Sequence, residues 1–334
     1  MNPHSRMLTI AVLAASLIST GCLFHSHRVE SNLSHAPLQA ASQKQLVDKL
    51  SALSSAIRTM NAAVEISTAV GGAKKGTVTE YSVITGFILA EKPSMLRMIG
   101  QFPIVRNRAF DMVSNAEGFE LWIPAKNRFI IGPSEVSTIS PNPLENLRPQ
   151  IILDALLFHA VEADEIAVLE ARVQEVLEED SKQQNSKEQH TKEQNSKQQH
   201  TKRRLTQPNY VLDLIAKDAL SGQWYLARKV YFNRANLLPY RQLVFTKQGE
   251  VATDAHYNDY KDSQGIPFPA DILIQRPQEE YMIGIKITKL ALNEALTPDQ
   301  FQLAQPPGAQ VIRLDGSQGQ GSASATTGSA EAER

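Results

Sequence analysis

Two groups of side chains in this sequence have the types and spacing to do chemistry, and one glycine-rich turn invites comparison with a nucleotide site. His159 and Glu162 stand three residues apart, with Asp154 just upstream, in a run that reads as helix. Such a pair can hold a metal ion, but a zinc-protease helix needs a second histidine at i+4, and none stands there. A polar pair at a helix end is the simpler account. Asp254, His256 and Asn258 share one face of a strand at period two, a ligand-like set. Tyr257 and Tyr260 beside them mark an exposed, amphipathic strand near a turn instead. Gly71-Gly72-Ala73-Lys74-Lys75-Gly76 lacks the spacing of a phosphate loop and leads into a strand, which makes it a basic hairpin turn. Neither a Gly-x-Ser-x-Gly elbow nor a dinucleotide fingerprint occurs. The expectation is a protein that is not an enzyme, takes no cofactor and binds no metal.

What remains is apolar. In 334 residues the formal net charge is −1, so no basic field speaks for nucleic acid, and none is expected as a partner. Hydrophobic residues make up 42%, enough for a substantial core. The single cysteine, Cys22, excludes a disulfide framework and a cysteine zinc site. It follows a positive segment, Met1 to Arg6, and an apolar run, Met7 to Thr20, too short to span a bilayer and laid out as a secretion signal. Ser19-Thr20-Gly21-Cys22 resembles the bacterial lipobox, with Ser19 where that motif prefers Leu. The resemblance implies removal of residues 1–21, lipidation of Cys22 and a stable membrane anchor of two or three acyl chains. Leu23, rather than Asp, implies by the same resemblance the outer membrane, with the protein facing the periplasm.

Residues 22–41, with His25, His27 and His35, read as a polar tether. Ser42-x-x-Gln45 opens a helix whose Leu46, Leu50, Leu53, Ile57 and Met60 form one stripe. A strand over 61–70 precedes the glycine turn, and another is expected over 77–90. Val83 to Gly132 then reads as four or five short strands separated by turns at Lys92-Pro93, Phe102-Pro103, 115–118 and 125–127, an antiparallel meander. Gln150 to Val161 is an almost wholly apolar helix, buried or lying across a greasy groove. Residues 164–179 fit either a strand or a helix, with a strand preferred, and run into a five-residue repeat over 181–204 that carries no apolar residue and cannot bury anything. Its His190 and His200 read as spacers. Six further strands between Tyr210 and Leu292 form a second meander, and residues 314–334 read as a flexible tail.

The stretch Gly86 to Met98 around Lys92-Pro93-x-x-Leu96-Arg97, the strand pair from Asp111 to Phe129, and the close Leu296-Thr297-x-x-Gln300-Phe301 to Pro306-Pro307-Gly308 occur in an order that resembles the periplasmic lipoprotein-carrier and outer-membrane lipoprotein-receptor superfamily (LolA/LolB-like). The resemblance covers 42–313 apart from the repeat. It implies an α+β, mainly antiparallel fold: an open, curved half-barrel of about 10–12 strands with helices covering the concave face. It implies a hydrophobic cavity for lipid or lipoprotein acyl chains. The alternative is a structural or sensory envelope lipoprotein that uses the same fold to bind a protein partner, with no lipid cargo and the cavity filled by its own side chains; envelope assembly proteins are the partners expected. Lining candidates from the sheet are Phe87, Leu89, Leu96, Met98, Phe110, Met112, Leu121 and Ile123. Leu153, Leu156 and Leu157 are those from the lid, and Lys92 matches the position of a basic lid contact, where carriers often have Arg.

Overall fold

A computed structural model describes residues 37–134, 148–179 and 202–314 of the chain. The predicted signal segment, Cys22, most of the tether, the core of the 181–204 repeat and the 315–334 tail lie outside the described residues. The chain divides into two compact units, residues 36–172 with 208–334, and residues 1–35 with 173–207. Of the second unit the described residues are extended segments at 173–179 and 202–207. Everything below concerns the first.

Helix α1 (Gln43–Ser55) begins where the Ser42 hydroxyl accepts from the Gln45 amide and the Gln45 side chain returns the bond to the Ser42 amide. Its Leu46, Leu50 and Leu53 are buried. It stops short of Met60, which already belongs to strand β1 (Thr59–Gly72). The chain continues through β2 (Thr77–Glu80), β3 (Ile84–Glu91), β4 (Met95–Gln101), β5 (Arg108–Ser114), β6 (Gly118–Ile123) and β7 (Arg128–Pro133) to helix α2 (Pro149–Leu156). Then follow β8 (Ile166–Glu179), β9 (Lys202–Lys217), β10 (Trp224–Asn233), β11 (Pro239–Phe245), β12 (Val251–Ser263), β13 (Ile266–Arg276), β14 (Tyr281–Leu292) and β15 (Gln310–Arg313).

Among the described residues fourteen strands form a single sheet in the order β15-β7-β6-β5-β4-β3-β1-β14-β13-β12-β11-β10-β9-β8, and β2 joins it off this path by pairing with β1. The two meanders meet where β1 pairs antiparallel with β14, and β15 alone runs parallel to its neighbour, β7. The ends of the order do not pair, so the sheet is open. The strand expected over 77–90 is two strands. β2 pairs with the end of β1 at Ala69–Gly72, β3 with its beginning at Thr59–Ile66, and Tyr81 to Val83 carry the chain between them. Gly71 is required at the hairpin: it has φ +110°, and a Cβ there would sit 2.0 Å from the Thr77 carbonyl oxygen.

One face of the sheet is covered by both helices. Ala62, Val64 and Ile66 of β1, Ile88 of β3, Leu96 and Met98 of β4, and Ile283 and Ile285 of β14 join one hydrophobic core with Leu46 and Leu50 of α1 and Ile152, Leu153 and Leu156 of α2. On the other face the fully buried Asp111 carboxylate takes two bonds from Arg97, at 3.1 and 2.9 Å, and one ion pair from Arg108 at 2.9 Å. Arg97 also donates to the Gln300 carbonyl, tying a short 3-10 turn (Pro298–Phe301) to β4.

Candidate functional site

The covered face is not filled everywhere. A cavity of about 340 Å³ opens between the sheet and the first turn of α2, in the size range of small-ligand sites. Ile66 and Val70 of β1, Met98 of β4, Phe110 of β5, Leu121 and Ile123 of β6, and Ile152 of α2 line it. Period two in each strand places these residues on one face, and cross-strand pairs such as Met98 with Met112 and Met112 with Leu121 carry that face from strand to strand. At the rim stand Tyr81, Ser82 and Phe102. The β4–β5 turn next to Phe102 exposes two more apolar residues, Ile104 (94% accessible) and Val105 (63%).

Of the residues singled out in the sequence, Met98, Phe110, Leu121 and Ile123 line the cavity. Leu96, Met112, Leu153, Leu156 and Leu157 are fully buried in the core around it and do not reach its wall. Phe87 and Leu89 need correction. Phe87 is 48% exposed and Leu89 half-buried, because β3 pairs Ile88 with Met98 and so turns Ile88 and Ala90 inward and their neighbours outward. The lining that sequence reading missed, Ile66, Val70, Ile84, Ile152 and Ile283, comes mostly from the seam where the two meanders join. The alternation of Val64, Ile66, Thr68 and Val70 was the available pointer to it.

Lys92 lies in the β3–β4 turn, and its Nζ donates to the Ser54 carbonyl (2.7 Å), the Ser54 Oγ (3.1 Å) and the Phe158 carbonyl (2.9 Å). One ammonium therefore joins the last turn of α1, the segment after α2 and the sheet. Burial lowers its pKa below the usual lysine value. Arg228 of β10 holds the same segment from another strand, donating to the Ala160 carbonyl at 3.0 Å and to Glu165 at 2.8 Å. Nothing in the sequence marked Arg228 for this.

The helix expected to reach Val161 ends at Leu156. Leu157 turns extended (φ −119°, ψ 106°), and the carbonyls beyond it accept from Lys92 and Arg228 instead of from helix amides. His159 is thus outside the helix, with its Nε2 3.0 Å from the Asp154 carboxylate, and Glu162 lies on an exposed loop. Asp254 is held by Arg241 through two bonds (2.8 and 2.6 Å) and lies 3.0 Å from His256. Burial alone would push its carboxyl up; the bonds from His256 and Arg241 outweigh this and bring it down to about 2. In the glycine turn the amides of Lys74 and Lys75 are taken by the Glu280 carboxylate. No group of three or more His, Cys, Asp or Glu suited to a metal ion occurs among the described residues.

No family model matches the chain, and no curated protein matches it. Among solved structures it is similar to a LolA superfamily protein from Nitrosomonas europaea, at 14% identity over 79% of this chain and 99% of that one, with a TM-score of 0.44. It is also similar to a DUF1329 family protein from Desulfovibrio piger (11% identity, 78% and 95% covered, TM-score 0.44). A domain from Vibrio parahaemolyticus assigned to outer-membrane lipoprotein sorting aligns at 11% identity over 78% and 97% of the two chains, with a TM-score of 0.40. At these identities the likeness is one of chain trace.

Proposed function

We propose that this chain is a lipid-anchored envelope protein, held at the outer membrane through Cys22 and facing the periplasm, whose half-barrel takes up the acyl chain of a lipid or lipoprotein during envelope transport or assembly. The observation that carries this reading is the apolar cavity of about 340 Å³ between the sheet and α2, with its rim beside the exposed Phe102, Ile104 and Val105. Burial is worth about 0.8 kcal/mol per methylene, so a chain is held without any strong polar contact. The tie of α1 and the segment after α2 to the sheet through Lys92 keeps a roof over the guest. Exposed apolar residues at the rim suit passage of a chain to or from a bilayer.

Native mass spectrometry of the gently purified full chain tests the reading. The expected result is a noncovalent lipid released on activation, in addition to any covalent acylation of Cys22. A spectrum with no noncovalent lipid, from protein that also takes up no fatty acid, overturns it.

A further inference from the structure

The cavity has a floor. On three of the strands that line it, the next inward side chain belongs to the filled core: Leu96 after Met98 on β4, Met112 after Phe110 on β5, and Ile285 after Ile283 on β14. All three floor residues are 0% exposed. On the roof side Ile152 lines the space, while Leu153 and Leu156 behind it are buried in the same core. The space is thus a pit closed by close-packed side chains, and it deepens only if they part. Parting is opposed at the roof, because Lys92 and Arg228 hold the segment just beyond Leu156 through the Phe158 and Ala160 carbonyls.

The volume sets the capacity. A methylene takes up about as much space as a water molecule in the liquid, roughly 30 Å³, so a cavity of about 340 Å³ holds about eleven carbons. Two chains of dodecanoyl length need roughly 700 Å³ and three need roughly 1,000 Å³. To find that space α2, which packs on β4 and β5, would have to lift Leu153 and Leu156 off the sheet. The apolar surface so exposed and the packing so lost oppose the gain from burying a second chain.

We propose that this cavity takes one acyl chain and no more, so that its guest is a monoacyl lipid, with about eleven carbons buried and the head at the rim beside Phe102. The inference rests on the lipid-binding reading above and goes further by fixing the number of chains and the length that is buried. A guest with two or three chains would leave at least one of them outside, against water.

The test is displacement of an environment-sensitive fluorescent fatty acid from the full chain by octanoate, decanoate, dodecanoate, tetradecanoate and hexadecanoate. Each added methylene is expected to tighten binding about fourfold until the cavity is full, between decanoate and dodecanoate, and less than about twofold beyond that. Native mass spectrometry at saturating dodecanoate is expected to count one guest per chain. Met98→Ala, or Ile152→Ala should the first not fold, removes three heavy atoms from the wall and is expected to move the break about two to three carbons longer. A gain that stays near fourfold up to hexadecanoate, two or more dodecanoates per chain, or a break unmoved in a folded variant overturns the single-chain proposal and leaves the lipid-binding reading standing. Failure to take up the probe or any of the acids overturns both.

Discussion

Lys92 shows how much one side chain can organise. A lysine whose ammonium is half-buried loses hydration, and the loss is offset only because three oxygens, two of them backbone carbonyls on separate covering segments, take its three protons. Replacing Lys92 with Met keeps the stem and removes the donors. The expected cost is about 1–3 kcal/mol in urea unfolding, because the Ser54 and Phe158 carbonyls are left without this partner. The pH dependence has a definite sign. Burial holds the folded-state pKa below the reference 10.5, so between the two values the unfolded chain binds more protons and this group makes stability rise with pH. That rise is expected to be absent in Lys92→Met. The basic residue before the proline was legible in the sequence; Arg228, its partner in holding residues 158–160, was not, since a lone arginine on an amphipathic strand carries no mark of a contact made across the fold.

At the scale of elements, strand phase and helix ends were the hard parts. In Gly86-Phe87-Ile88-Leu89-Ala90 no position is polar, so alternation cannot say which residues face inward, and the pairing of Ile88 with Met98 decides it. Leu156, Leu157, Phe158 and Val161 are apolar throughout and read as continuing helix, yet cations from the sheet claim the carbonyls that the helix would use. Where local chemistry was explicit, as in the Ser42–Gln45 capping box, the element begins where the sequence says. The outer face adds a charge cluster: Asp111, fully buried, pairs with both Arg97 and the half-exposed Arg108 and fixes through Arg97 the turn that carries Phe301. Asp111→Ala leaves those cations without their common anion and is expected to cost about 3–5 kcal/mol in denaturant unfolding. A change below about 1 kcal/mol would show the cluster to be energetically idle.

At the scale of the whole sheet, joining two meanders through β1 and β14 leaves a trough instead of a closed barrel, and a trough must be roofed. Leu46, Leu50, Leu53, Ile152 and Leu156 supply the roof, and the cavity is the part that they leave unfilled. The antiparallel meanders were readable from the order of strands and turns, and the open half-barrel from the family resemblance that their motifs carry; the position of the cavity was not, because it depends on how far α2 reaches and on the seam between distant strands. The exposed Ile104 at the rim is expected to assist transfer without supporting the fold. Ile104→Glu should therefore lower association of the full chain with phospholipid vesicles while unfolding within about 0.5 kcal/mol of the parent. The most direct test of the account is uptake of a fluorescent fatty acid by the parent chain and by Ala109→Trp, which places an indole into the cavity from its wall. Saturable uptake by the parent, abolished in a folded Ala109→Trp protein, is the result expected; a parent that takes up none, or a variant that binds as well as the parent, would contradict the claim that this space holds acyl chains.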